Sequence, residues 1–110
     1  MTSKYNFQED LSSLINILPL RIQRFLKDTE ELESLIEVVL DLGRLPEVRF
    51  PNDQLPIPGK EVDHNEINSF LDKVGNFGDD NRAGLERTLH RISVIRNRLG
   101  TPIGVTCRVG

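Results

Sequence analysis

Two stretches of the chain, residues 36–50 and 91–109, alternate apolar and polar side chains along most of their length. In each stretch a short interval that contains glycine interrupts the alternation once. Successive side chains of a β-strand point to opposite faces, so each stretch is predicted to form a hairpin with one apolar and one polar face. The apolar faces are expected to pack against helices elsewhere in the chain.

The first hairpin is expected to turn at residues 43–45. With Leu40 opposite Val48 and Val38 opposite Phe50, every apolar side chain of this hairpin falls on one face of the sheet. A register that is consistent in this way supports the prediction of two paired antiparallel strands.

The second hairpin is expected to turn at residues 99–102, with Val94 opposite Cys107 and Ile92 opposite Val109. Cys107 is then a small buried residue, to which we assign no chemistry. It is the single cysteine of the chain and cannot close an intramolecular disulfide, which favours a reducing compartment.

The segment before the first hairpin has a helical period. Asn6 is placed to cap a first helix, and Pro19 suits the first turn of a second helix. We therefore expect a helical segment over residues 1–34 with a helix-corner-helix arrangement. The apolar residues of the first helix recur at spacings of three and four: Phe7, Leu11, Leu14, Ile15 and Leu18.

The strongest local signal lies between the hairpins, where Asp63 and Glu66 have the spacing of a capping box. A helix is predicted from Asp63, ending at Gly75, and the three prolines between residues 51 and 60 predict a loop or a short edge strand before it. The segment from residue 75 to 84 reads as a long turn-rich loop. The buried stripe of the helix is Ile67, Phe70, Leu71 and Val74.

The chain has 110 residues, of which 37% are hydrophobic, and this size fits one compact domain. The predicted class is α+β, with N-terminal helices followed by antiparallel β-hairpins packed with a helix. Residues 1–34 form the helical part and residues 35–110 the α+β part. No stretch approaches the roughly 20 apolar residues that a membrane-spanning helix needs. The chain is still in strand register near Gly110, so we expect it to be a piece of a longer protein.

Residue types that carry catalysis occur without the partners that catalysis requires. His64 and His90 lack the spacing of metal ligands, and Asp79 and Asp80 are adjacent residues that point apart unless the loop turns sharply. The glycine-rich loop lacks the Lys-Ser or Lys-Thr ending of a phosphate-binding P-loop. The sequence therefore predicts no metal site and no enzymatic activity for this chain.

Charge is distributed unevenly along the chain. Residues 28–81 carry fourteen acidic and four basic side chains, whereas residues 82–110 carry six arginines and a single glutamate. The predicted second hairpin places Arg108 opposite Ser93, with Arg91 beside them, on the face away from the core. The planar guanidinium group suits bidentate contacts with phosphate or carboxylate, so this face is a candidate anion site. A solvated face that offsets the acidic middle of the chain is the alternative.

Two segments, GNFGDDNRAGLERTLHRISVIRNRLGTPIGVTCRVG at residues 75–110 and LIEVVLDLGRLPEVRFP at residues 35–51, resemble the N-terminal domain of the Ycf-type (hypothetical chloroplast frame) P-loop ATPases. This family is related to stage III sporulation protein AA and the secretion ATPases. The resemblance implies a non-catalytic regulatory and assembly domain of a ring-forming ATPase, in the cyanobacterial cytoplasm or the plastid stroma. Its partners would be the adjoining ATPase core and neighbouring subunits. ATP and Mg would belong to that core, with no cofactor in this chain.

By the same resemblance, three arginines of the chain could approach a nucleotide phosphate: Arg82, Arg91 and Arg108. Guanidinium groups there would stabilise negative charge on the phosphate. Two alternatives stay open, a module that binds single-stranded nucleic acid and a protein-interaction domain whose arginines contact acidic partners. The arginine-rich segment contains no aromatic residue on which bases could stack. The nucleic-acid alternative therefore ranks below the role in an ATPase.

Overall fold

The computed structural model describes residues 7–75, 77–78, 80–84 and 90–110, with side chains from residue 11 onward. These residues form three α-helices and six β-strands, and a short 3-10 helix at Leu32–Ser34 leads into the first strand. Two helices come before the strands, and the third lies between the third and fourth strands. The helices are α1 (Phe7–Ile15), α2 (Leu20–Lys27) and α3 (His64–Val74). The strands are β1 (Glu37–Asp41), β2 (Glu47–Arg49), β3 (Gln54–Pro56), β4 (Arg82–Gly84), β5 (Arg91–Arg96) and β6 (Pro102–Arg108).

The six strands form one sheet in the order β3-β2-β1-β6-β5-β4, and all of these neighbours are antiparallel. Each half of the sheet is built from strands that follow one another in sequence. The two halves meet where β1 pairs with β6, the first strand beside the last. The predicted α+β class is confirmed.

The core lies between one face of this sheet and the helices. Val38, Leu40, Ile92 and Cys107 point from the sheet into the same buried cluster as residues of all three helices. The polar positions of the central strands alternate with these residues and therefore lie on the opposite face. We call that opposite face the open face. The helical residues of the cluster are Leu11, Leu14, Ile15, Ile22, Leu26, Ile67 and Phe70.

Helix α3 begins as the sequence predicts. The Asp63 carboxylate accepts a hydrogen bond from the backbone N–H of Glu66 at 2.8 Å, and Gly75 follows the last turn with a positive φ of 96°. The Glu66 carboxylate accepts two hydrogen bonds of 2.7 Å from Arg21, which joins α3 to α2. Asn6, the predicted cap of the first helix, lies outside the described residues.

The registers predicted for the two hairpins are wrong by two residues. Val38 lies opposite Val48, and Ile92 lies opposite Cys107. A shift of two keeps every side chain on its predicted face, because strand residues alternate with period two.

Both turns are longer than predicted because other groups hold them. After β1 the chain leaves the ladder, and the backbone of Gly43 and Arg44 hydrogen-bonds to Val62. In the second turn Asn97 and Thr101 are joined by a backbone hydrogen bond of 3.0 Å, and the Asn97 side chain accepts a second one from the Thr101 N–H.

The region around the predicted long loop also differs from expectation. Strand β4 lies inside the segment predicted as a turn-rich loop, and its Ala83 pairs with Ile92. His90 precedes β5 and is buried, with its Nδ1 accepting a hydrogen bond from the Gly110 N–H at 3.3 Å. None of the helices in the part of the chain that the structure describes has the length and apolar character needed to cross a membrane.

Candidate anion-binding groove

The pairing of β4, β5 and β6 brings the three predicted site arginines to one place on the open face. Arg91 of β5 lies directly opposite Arg108 of β6, and Arg82 of β4 lies opposite Ser93. Ser93 in turn lies opposite Thr106, so two hydroxyl groups sit beside the two paired arginines. The structure therefore gathers three guanidinium groups and two hydroxyl groups on three adjacent strands.

The predicted placement of Arg108 opposite Ser93 is wrong, because the register is shifted by two residues. The observed pairing puts Arg91 and Arg108 directly across from each other. Like charges at directly opposed positions of an antiparallel pair are destabilising, by a few tenths to about 1 kcal/mol. This pair therefore does not serve the stability of the hairpin.

A concave groove of about 680 Å³ opens above these residues. We call it the arginine groove. It crosses four strands, from β1 to β4. Its lining is mostly polar and consists of Glu37, Asp80, Arg82, Ala83, Gly84, Arg91, Ser93, Thr106 and Arg108.

The three arginines of the groove differ from Arg21 and Arg49 in the partners of their side chains. Arg21 forms a salt bridge with Glu66 at 2.7 Å, and Arg49 forms one with Glu37 at 3.4 Å. Within the described part of the chain, none of the three guanidinium groups of the groove has a carboxylate within 4.0 Å. Their donors are exposed and available to a ligand.

A short network positions β4 beside β5. Asn81 has a positive φ of 61°, which turns the chain into the strand, and its carbonyl accepts a hydrogen bond from the Val94 N–H at 2.9 Å. The Asn81 side chain accepts another from Arg96 at 2.9 Å. The Asp80 carboxylate accepts a hydrogen bond from the Arg82 N–H at 3.2 Å. Arg82 is thereby held at the edge of the groove.

Carboxylates lie at the two ends of the groove in the direction across the strands. Glu37 of β1 is opposite Arg108, and Asp80 precedes β4 at the other end. Towards the turn of the second hairpin, Asp41 and Ile95 flank Gly104, and a Cβ added there would come within 2.8 Å of an Asp41 carboxylate oxygen. The groove is thus cationic in its centre. Its borders are the Glu37 carboxylate, which is paired with Arg49, the Asp80 carboxylate, and Ile95 with Asp41.

The thiol of the chain's one cysteine is turned away from the groove, into the buried cluster. Cys107 is fully buried, and this burial, reinforced by the charge of Glu37, raises the pKa of its thiol far above the usual range. Among the described residues, no group of three or more His, Cys, Asp and Glu side chains is placed to hold a metal ion. The arrangement of the groove suits the binding of an anion through arginine and hydroxyl donors.

Sequence reasoning missed two residues of the groove, Glu37 and Thr106. Thr106 could have been found, because it is separated from Arg108 by one residue and must share its face. Glu37 could not, because its position depends on the pairing of β1 with β6, two strands separated by most of the chain.

Comparison with known proteins finds three relatives over nearly the whole chain, while no family model matches. The chain is 49% identical over 102 residues to the uncharacterized protein ycf45 of Porphyra purpurea. It is 48% identical over 101 residues to the protein Seedling Plastid Development 1 of Arabidopsis thaliana, and 37% identical over 101 residues to the ycf45 protein of Cyanidium caldarium. These matches cover 92–93% of the chain but only 18%, 15% and 30% of the respective relatives.

These relatives contradict the identification of the chain as the N-terminal domain of a P-loop ATPase. Their names are ycf45 and Seedling Plastid Development 1, and none of them designates an ATPase, a AAA protein or a secretion protein. The Ycf and plastid parts of the resemblance agree with the names. The names of these relatives therefore give no support to an adjoining ATPase core, to its ATP and Mg, or to a contact between the three arginines and its nucleotide.

The names also bear on activity and location. None of the three is the name of an enzyme, which agrees with a chain that binds without catalysing, although the non-catalytic character itself stays a prediction. One relative is named for plastid development, which supports the plastid half of the predicted location. The stroma as the compartment stays a prediction.

Proposed function

We propose that this chain is a non-catalytic module that binds single-stranded nucleic acid by a phosphate group held in the arginine groove. The observation that carries the proposal is the set of three guanidinium groups, Arg82, Arg91 and Arg108, that share one groove and have no carboxylate partner among the described residues.

The donors in the groove match the chemistry of phosphate. Guanidinium groups donate pairs of parallel hydrogen bonds to phosphate oxygens, and charged hydrogen bonds of this kind are roughly twice as strong as neutral ones. Ser93 and Thr106 add hydroxyl donors between the arginines. An anion that bridges Arg91 and Arg108 would also remove the repulsion between these opposed cations, so binding and hairpin stability would support each other.

The layout of the fold favours a nucleic acid as the carrier of that phosphate. The helices cover one face of the sheet, and the groove lies on the open face across four strands. One common RNA-binding module also binds single strands on a four-stranded sheet, where aromatic side chains stack the bases. The lining residues include no aromatic side chain, so binding would depend on phosphate and would be tolerant of base sequence.

A binding role agrees with the state of the groups that could act in catalysis. The Cys107 thiol is buried and its pKa is raised, so the thiolate needed for nucleophilic attack is disfavoured. His90 is buried, and its Nδ1 accepts a hydrogen bond from the Gly110 N–H. Neither residue lines the groove.

Binding can be measured by fluorescence anisotropy with a single-stranded oligonucleotide at low ionic strength. The double substitution Arg91→Ala and Arg108→Ala removes two charged donors from the groove and should weaken binding by about tenfold or more. The matched control is the double substitution Arg24→Ala and Lys27→Ala, which removes two positive charges from α2 in the helical layer. It should change the dissociation constant by less than about twofold, because charges remote from the site are screened by salt.

Undiminished binding by the double variant, with the wild-type unfolding curve, would contradict the proposal. An acidic peptide of matched charge serves as competitor and tests the alternative of a protein-interaction domain. If the peptide displaces the oligonucleotide at equal charge concentration, the arginines bind carboxylates as well as phosphates. This result would favour a protein-interaction domain over a nucleic-acid-binding module.

We infer in addition that the protein acts in the plastid stroma. The relative named for plastid development supports the organelle, and the single buried Cys107 agrees with a reducing compartment. A fluorescent fusion should fill the chlorophyll-containing organelles of a plant cell, whereas a signal outside them would contradict this location.

A further inference from the structure

The borders of the arginine groove limit how many phosphate groups it can hold. Strands in a sheet lie about 4.8 Å apart, so Glu37 stands one strand away from Arg108 and two from Arg91. A nucleic-acid strand that crossed the sheet would carry its next phosphate over Glu37 at one end or past Asp80 at the other. Asp80 would repel that second phosphate. At the other end Glu37 holds Arg49 in a salt bridge of 3.4 Å, so this border offers the phosphate no free cation.

A strand that ran along β5 and β6 would meet a different obstacle. In the direction of the hairpin turn, the groove is followed by Ile95, which is 53% exposed, and by the Asp41 carboxylate beside Gly104. Neither an aliphatic side chain nor a carboxylate is a partner for a phosphodiester. The described surroundings therefore offer good contacts to one phosphate group and poor contacts to its neighbours in three directions.

The charge in the centre of the groove fits a terminal phosphate better than an internal one. A phosphate monoester carries nearly two negative charges at neutral pH, because its second pKa is about 6, whereas a phosphodiester carries one. A monoester also presents three free oxygens. Arg82, Arg91, Arg108 and the hydroxyls of Ser93 and Thr106 supply enough donors to engage all three of these oxygens.

From these observations we infer that the arginine groove recognises the terminal phosphate monoester at the end of a single strand, and that Glu37 and Asp80 exclude internal phosphodiesters. This inference rests on the proposed function and specifies the part of the nucleic acid that the site takes.

The test compares two oligonucleotides of one sequence, one with phosphate groups at both its 5′ and 3′ ends and one with hydroxyl groups at both ends, by isothermal titration calorimetry on the whole chain. The phosphorylated strand should bind at least about tenfold more tightly, and the preference should vanish in the variant with Arg91→Ala and Arg108→Ala. Lengthening the strand should not improve its binding, since only its end is held. The control variant with Arg24→Ala and Lys27→Ala should leave the preference intact.

A second variant tests the role assigned to the acidic border. Glu37→Gln removes the carboxylate while keeping a side chain of the same size, and it leaves Arg49 without its salt-bridge partner. It should strengthen binding of the unphosphorylated strand several-fold, because an internal phosphate could then contact Arg49. The preference for the phosphorylated strand should become smaller. Glu30→Gln, an exposed change outside the groove, is the matched control and should alter neither strand's binding.

Each result of the comparison decides one claim. Equal binding of both strands would overturn the inference of a terminal site while leaving the proposed function in place. Absence of binding by either strand would overturn the proposed function itself. A preference that persists without Arg91 and Arg108 would place the recognition outside the groove and overturn the inference.

Discussion

At the residue scale, the Asp63 carboxylate both caps the N-terminus of α3 and pairs with a lysine. It accepts a hydrogen bond from the Glu66 N–H at 2.8 Å and forms a salt bridge with Lys60 at 2.9 Å. The backbone hydrogen bond, followed by the Lys60 hydrogen bond, lowers the pKa of the Asp63 carboxyl. The charged form is therefore favoured in the native state.

This lowered pKa predicts a pH-dependent contribution to stability. The contribution is present above the ordinary Asp pKa of about 3.9 and is lost as pH falls through the lower native value. Asp63→Asn keeps an acceptor but does not titrate, so its deficit in melting temperature should shrink as the pH is lowered from 6. Circular dichroism melts across that range check this, with Asp72→Asn on the same helix as control. A deficit that stays constant with pH would contradict it.

Cys107 is the second residue whose environment predicts a measurable property. Burial raises the pKa of its thiol, so both access and thiolate formation are suppressed in the folded chain. Labelling with a disulfide-exchange reagent at pH 8 should be slow in buffer and fast in denaturant. Rapid stoichiometric labelling of the folded protein would show that this side chain is not enclosed as described.

At the element scale, the hairpin of β5 and β6 combines an apolar face that packs and a polar face that carries opposed cations. Arg91 and Arg108 lie opposite each other at the end of this hairpin that is farthest from its turn. Local pairing favours the hairpin because Ile92, Val94, Val105 and Cys107 are buried on its other side. The arginine pair therefore lowers stability at a position where a neutral residue would fit.

Replacing Arg108 by Gln should consequently stabilise the chain at low salt, by a few tenths to about 1 kcal/mol. The gain should shrink at high salt, because screening weakens the repulsion. Urea unfolding at two ionic strengths measures the effect, and Arg24→Gln, which faces no opposed cation across a ladder, is the control. Loss of stability in Arg108→Gln at low salt would mean that the guanidinium has a structural partner.

Elements with strong local signals could be predicted from the sequence, and those that depend on distant partners could not. The cap at Asp63 and the face of each strand follow from residue type and period. The first register does not, because its turn is held by Val62, which is distant in sequence. The second turn is held by Asn97 through hydrogen bonds within the turn itself, a local feature that the period of the strands does not reveal. The pairing of β1 with β6, which brings Glu37 to the groove, is likewise a tertiary event.

At the scale of the whole molecule, a single buried cluster joins the helices to the sheet. Phe70 of α3 is 1% exposed and lies in this cluster together with residues of α1, α2 and five of the strands or their flanks. The open face depends on this layer, because the helices cover the apolar side and leave the polar side free. The arginine groove is thus accessible because the helices cover only the apolar face of the sheet.

Phe70→Ala should therefore destabilise the whole chain by about 3–5 kcal/mol, through lost burial and the cavity left behind. Leu99→Ser, at a position 91% exposed in the second turn, should change stability by less than about 0.5 kcal/mol. Urea unfolding monitored by circular dichroism compares the two variants. Similar small effects in both would contradict the arrangement in which α3 packs on the sheet.

The measurement that tests the central claim most directly is an NMR titration of the whole chain with a single strand that carries a terminal phosphate at both ends. The largest amide shift changes should map to the arginine groove, at Arg82, Arg91, Ser93, Thr106 and Arg108, and should disappear in the double arginine variant. Changes located instead on the surfaces of α1, α2 and α3, with the groove residues unmoved, would contradict the account.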